Sequence, residues 1–262
     1  MRTKHRLILI EGLCGTGKTT LAERLNDYLM QQGQRSRLYD EGAEQHPVSL
    51  NGHAFYREAA YLNLLSRFSS LSPVIHSLAM EDNQKYLIPY RGITEFREVN
   101  ELYEELSSNE LCWTNTPRAT FAEFTSLIQR HWGRFADASM DSEDIYVLEA
   151  VFLQHQIHDL LKHYQADSQQ IQAHIQAIAS QLTGLNPILI YLSQPDVRKQ
   201  QLWISDIRDK PHFATEANIA FMERRKALES TIIASLPFPA FIIENTALEW
   251  DSVLHEMIDL VR

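Results

Sequence analysis

Eight residues near the start of the chain, Gly12-Leu13-Cys14-Gly15-Thr16-Gly17-Lys18-Thr19, match the pattern G-x-x-x-x-G-K-[ST] in full. Each residue type answers a need of phosphate binding. A triphosphate is highly charged and must be held without bulky side chains. Gly12, Gly15 and Gly17 let the backbone curl so that successive N–H groups point inward at phosphate oxygens. A helix beginning near Gly17 adds its positive end. Lys18 reaches the β and γ phosphates, and Thr19, followed by Thr20, offers a hydroxyl to Mg²⁺. Cys14 and Thr16 fill free positions of the loop. A small residue that fits is explanation enough for Cys14, and alkylating it is expected to block the nucleotide.

Phosphoryl transfer also needs charge neutralisation and an aligned acceptor. Glu149 ends an apolar run, where a carboxylate binds Mg²⁺ through water or serves only as a helix cap. Asp40 and Glu41 follow another such run. One of them accepts the acceptor's hydroxyl proton or orders Mg²⁺ water, or both are turn residues; Glu41 is taken as the candidate. Arg198, Arg208, Arg224 and Arg225 form the positive cluster of a closing lid, with Arg208 and Arg198 leading. A guanidinium fork binds two phosphate oxygens at once, and closure excludes water. Gln154, one helical turn past Glu149, is placed to reach an acceptor. Arg57, Arg67, Arg97, Arg118, Arg130 and Arg134 read mostly as surface charges, although Arg130 and Arg134 share a helix face. Tyr56, Tyr61, Phe121, Phe124 and Trp132, at helical spacing, read as core. His155, His158 and His163 lack H-E-x-x-H spacing and read as a solvated helical face.

The elements that must hold these residues follow from periodicity. Residues 6–11 read as a buried strand, 17–32 as a helix with Leu21, Leu25 and Leu29 on one face, and 36–40 as a second strand. That is one βαβ unit, so the pair is parallel. The stretch 41–144 shows no convincing buried strand. Helices are expected near 53–69, 95–107 and 118–136, with breaks at Pro47, Pro73, Pro89 and Pro117. Further strands are expected at 145–149, 187–192 and 240–244. Helices are expected at 169–183, as a pair across 195–235, and at 249–261 with Trp250 inward. Five apolar strands separated by helices describe an α/β domain with a covered parallel sheet.

Composition narrows the classes. The 262 residues are 44% apolar and 22% charged, an ordinary globular balance. The formal net charge of −10 is opposite to that of a protein coating duplex nucleic acid. Cys14 and Cys112 are too few for a disulfide framework or a structural zinc site. No apolar run approaches the ~20 residues of a membrane span. Arg2, Lys4, His5 and Arg6 precede an apolar stretch, but Glu11 interrupts it and no cleavage site follows. No signal peptide is read, and a cytoplasmic setting is expected.

The strand ends Tyr191-Leu192-Ser193 and Glu244-Asn245-Thr246 lack the Asn-Lys-x-Asp guanine reader of a GTPase, and no Asp-x-x-Gly switch is found. A small-molecule kinase remains. The chain resembles the thymidylate kinase-like branch of the nucleoside and nucleotide kinases over 1–42 and 145–262. The resemblance is carried by Glu11 to Thr20, Leu38-Tyr39-Asp40-Glu41-Gly42, Val147-Leu148-Glu149, Tyr191 to Val197, Arg198, Arg208-Asp209, Met222 to Arg225 and Phe241 to Asn245. It departs where Ala150 replaces the family's arginine, where Asp40 and Gly42 replace its arginine and proline, and in the enlarged 41–144. ATP use therefore carries over and thymidylate as acceptor does not.

The resemblance implies one P-loop kinase-like domain over 1–262. Its fold would be a P-loop NTPase three-layer sandwich with a five-stranded parallel sheet in the order 2-3-1-4-5. A helical acceptor-binding insert at 41–144 lies between strands 2 and 3, and a lid spans 195–235. The expected activity is Mg-ATP-dependent phosphoryl transfer. Lys18, Glu41, Glu149 and Arg208 would be catalytic. Gly12, Cys14, Gly15, Thr16, Gly17, Lys18, Thr19, Thr20 and Arg198 would bind nucleotide, and Thr19 and Glu149 would hold the metal. Expected partners are ATP and a small-molecule acceptor, without nucleic acid or membrane; a homodimer stays open. The alternatives are a regulatory nucleotide-binding protein with weak or no kinase activity, or a kinase of a non-nucleotide metabolite or antibiotic.

Overall fold

The computed structural model describes residues 3–246 and 248–262. In chain order the elements are β1 (Leu7–Gly12), α1 (Lys18–Gln31), β2 (Ser36–Tyr39), β3 (His53–Arg57), α2 (Glu58–Arg67), α3 (Ser72–Leu78), β4 (Met80–Asp82), β5 (Lys85–Pro89), α4 (Thr94–Arg97), α5 (Asn100–Ser108) and α6 (Phe121–Ser139). They continue as β6 (Ile145–Glu149), α7 (Gln154–Lys162), α8 (Ser168–Leu182), β7 (Pro187–Ser193), α9 (Val197–Arg208), α10 (Glu216–Ile233), β8 (Ala240–Glu244) and α11 (Trp250–Val261). Contacts divide the chain into two compact units. One comprises residues 3–43, 132–158 and 166–262; the other comprises 44–131 and 159–165.

The first unit is built on a five-stranded sheet in the order β2-β6-β1-β7-β8. Every neighbouring pair is parallel. Counted along this sheet alone, that is the order 2-3-1-4-5 of a P-loop NTPase sandwich, with helices and a small second sheet between its second and third strands. Successive residues of a strand point to opposite faces, and both faces are covered here. Ile8 and Ile10 pack with Leu21 and Leu25 of α1 and with Val253 and Met257 of α11. Leu7, Leu9 and Glu11 point the other way. Tyr191 stands beside Glu11 in register, and its hydroxyl donates to Glu229 of α10, which puts α10 on that second face. The apolar β8 is an edge strand, with Phe241 and Ile242 exposed.

The second unit corrects the expectation for 41–144. Residues 53–57 form a strand rather than the start of a helix, in the antiparallel sheet β3-β5-β4. Asn83 and Gln84, at φ 50° and 60°, make the two-residue turn from β4 to β5. Two successive residues with positive φ suit a tight hairpin, but the glycine that usually announces one is missing. Tyr56 belongs to β3, and the Tyr61 ring stacks on Tyr86 with centroids 3.9 Å apart. Pro73 opens α3 rather than breaking a helix, because its missing N–H costs nothing in the first turn. Arg57 pairs with Glu123, Arg67 with Glu101 and Glu105, Arg91 with Glu110, and Arg130 with Asp82.

Candidate active site

The loop after β1 is shaped by where its carbonyls go. The Gly12 carbonyl accepts from Arg225 Nη2 at 3.4 Å. The Leu13 carbonyl accepts from Thr16 Oγ1 and from Lys18 Nζ, both at 3.0 Å. The Cys14 carbonyl accepts from Gln200 Nε2 at 2.7 Å, and the Thr16 carbonyl from Asn245 Nδ2 at 2.8 Å. Gly17 caps α1 at φ 90°, and among the described residues no side chain caps the first N–H groups of that helix. Those donors are orphans of helix geometry. The loop thus commits its oxygens to the protein and leaves a row of N–H groups at a helix start.

Around the loop lies a cleft of about 250 Å³. Cys14, Gly15, Gly17, Lys18, Thr19, Thr20, Glu41, Glu149, Gln154 and Arg208 all line it. The structure therefore brings together most of the residues singled out from the sequence. Lys18 Nζ stands 3.9 Å from Glu149 Oε1. Burial pushes the Glu149 carboxyl up, and Lys18 opposes that shift. Glu149 ends β6, and Ala150 then turns the chain in the left-handed region at φ 64°. Arg208 closes the cleft with Nη1 3.3 Å from Cys14 Sγ.

Glu41 is joined to this group through two neighbours. Gln154 Nε2 donates to Glu41 Oε2 at 2.7 Å, and His155 Nε2 stands 3.6 Å from the same oxygen. The bond from His155 is the main cause that holds the Glu41 carboxyl below its ordinary range. Asp40 accepts from the Gly42 N–H in a local turn. Gln154 is itself fixed from β1. Glu11, fully buried, accepts from the backbone N–H of Phe152 at 2.7 Å and of Gln154 at 3.0 Å. One strand carboxylate thereby caps the start of α7. Burial raises the Glu11 carboxyl to about 7, and these N–H groups oppose the rise.

Other candidates lie elsewhere. Arg198 makes a bidentate pair with Glu216 at 2.7 and 2.6 Å, on an exposed surface and outside the residues lining the cleft. Arg224 is exposed. Arg225 is buried, 2.8 Å from Glu229. The solvated-face expectation for His155, His158 and His163 is corrected: His155 is buried and the other two are half-buried. Helix α7 is almost wholly covered, so its histidines count as interior groups.

Sequence reasoning missed the apolar rim. Trp203, Ile204 and Ile207 of α9 line the cleft, as does Trp250. Ile204 rests against Gly15 and Trp250 against Gly17, so closely that a Cβ at either glycine would overlap them. The α9 signal was present: apolar residues at 203, 204 and 207 share a helical side with Arg208. Trp250 was expected inward and is half-buried over the loop.

No protein-family model matches the chain, and no curated protein matches it in sequence. Among the solved structures similar to it are two thymidylate kinases. Thymidylate kinase from Candida albicans is 12% identical at a TM-score of 0.46, over 100% of this chain and 92% of that one. Thymidylate kinase from Ehrlichia chaffeensis is 14% identical at a TM-score of 0.43, over 98% of each chain.

Proposed function

We propose that the chain binds Mg-ATP at the Gly12–Thr19 loop and transfers the γ-phosphoryl group to a small-molecule acceptor. One observation carries this reading. The loop carbonyls are turned onto protein donors, which leaves uncapped N–H groups beside Lys18 and Glu149. An array of N–H groups and one ammonium matches phosphate oxygens in both charge and direction. Lys18 exchanges its bond to the Leu13 carbonyl for the β and γ phosphates. Arg208, across the cleft, neutralises charge from the other side.

Thr19 and Glu149 offer a hydroxyl and a carboxylate, the hard oxygen donors that Mg²⁺ takes, and they would hold the ion. When bound, it supplies charge neutralisation at the transferred group. Glu41, on the cleft beside Gln154, accepts the proton of the acceptor hydroxyl. Trp203, Ile204 and Trp250 exclude water that would otherwise take the phosphoryl group.

A second reading is a nucleotide-dependent binding or regulatory protein. The observation that favours it is Ala150, which puts a methyl group directly after Glu149 where a phosphate-gripping cation would be useful. Phosphorus NMR with Mg-ATP and a pooled acceptor library decides between them, with Lys18→Ala in parallel. A new phosphate resonance in the parent, lost in the variant, is the expected result. Equal turnover by Lys18→Ala would sink the assignment.

A further inference from the structure

We propose that Gln154 and Glu41 form the acceptor-recognition pair, and that the acceptor is an unphosphorylated, donor-rich hydroxyl compound, neutral or cationic where it meets them. This rests on the phosphoryl-transfer reading above. Gln154 is 9% exposed and lines the cleft. Its backbone is held by Glu11 and its Nε2 is committed to Glu41. The Glu41 oxygen 2.7 Å away fixes which way the amide points, since the reverse orientation would set oxygen against oxygen. That leaves Gln154 Oε1 buried with no partner among the described residues. Buried acceptor oxygens are seldom left unpaired, so this one points to a ligand that donates.

Charge supports the same class. The cations lining the cleft are Lys18 and Arg208, and the anions are Glu41 and Glu149. Lys18 and Arg208 flank the loop and are taken up by the nucleotide's phosphates. What remains at the Gln154 end is the Glu41 carboxylate, with His155 beside it, and an amide oxygen. A phosphate brought there would meet like charge, with only His155, 3.6 Å from Glu41 Oε2 and already its partner, on the cationic side. A hydroxyl or amino group would satisfy both acceptors.

The test separates two acceptor pools, each with Mg-ATP. One holds nucleosides, sugars and aminoglycosides; the other holds nucleoside monophosphates. Transfer to the first pool is expected. In Gln154→Met the KM for that acceptor should rise about tenfold, with the KM for ATP unchanged. Transfer to monophosphates alone, or to neither pool while Mg-ATP still binds, overturns the inference. So does an unchanged acceptor KM in a variant that melts like the parent. Failure to bind Mg-ATP at all would instead overturn the proposed function.

Discussion

Glu11 offers the sharpest test of how the site is held. It is fully buried, and its carboxyl is raised from 4.5 to about 7 chiefly by that burial. Between those values the unfolded chain releases the proton and the folded chain keeps it. The unfolded state then binds fewer protons, so stability must fall as pH rises through this window. At 1.36 kcal/mol per pKa unit the full loss is about 3 kcal/mol, most of which falls between pH 5 and 8. Glu11→Gln carries no charge to bury and loses none of its stability this way. Urea unfolding of parent and variant from pH 5 to 8 isolates the effect, because other titrating groups cancel in the difference. The variant should gain about 2–3 kcal/mol on the parent across that range, whatever its offset at pH 5. A difference that stays flat, or that falls as pH rises, would refute the assignment of a raised carboxyl to Glu11.

Two further outcomes follow from the loop's surroundings. Gly17 combines φ 90° with the Trp250 ring at its Cα, so Gly17→Ala should cost about 2–4 kcal/mol from strain and overlap together; the same substitution made in a Trp250→Ala background should cost less in urea unfolding, and an equal cost in both backgrounds would count against the overlap. Cys14 lines the cleft beside Arg208 while Cys112 is buried, so N-ethylmaleimide should label Cys14 first, abolish Mg-ATP binding and be slowed by prior ATP, as mass spectrometry and calorimetry would show; labelled protein that binds ATP normally would place the phosphates elsewhere.

The parallel sheet was legible because its strands are short apolar runs between amphipathic helices. Residues 145–149 and 240–244 fall where expected, and 187–192 extends by Ser193. The loop was legible because glycine, lysine and threonine at that spacing have few other uses. The small antiparallel sheet was not. Its strands mix polar residues with aromatics, and its Asn83-Gln84 turn carries no glycine. Glu11 also escaped notice as a site residue. A carboxylate at the end of a buried strand looks like an interruption until the N–H groups of Phe152 and Gln154 are seen to reach it. That partnership spans more than a hundred residues of chain and leaves no local spacing to read. Arg198 was read as a lid arginine because its fork suits phosphate; its pairing with Glu216, eighteen residues on, is a partnership that no local spacing announces.

These contacts give the end of β1 two tasks at adjacent residues. The Gly12 carbonyl is held by Arg225, itself paired with Glu229, which in turn takes the Tyr191 hydroxyl at 2.5 Å. All three side chains are almost fully buried. Burying an ion pair adds little net stability, but removing one partner strands the other charge. The arrangement therefore fixes position more than it stabilises. On the same strand end, Glu11 fixes the turn that carries Gln154, and through it Glu41. The phosphate loop and the proposed acceptor pair thus share one rigid support. Phosphoryl transfer requires donor and acceptor in line within a few tenths of an ångström. A common strand end ties the positions of both to one element.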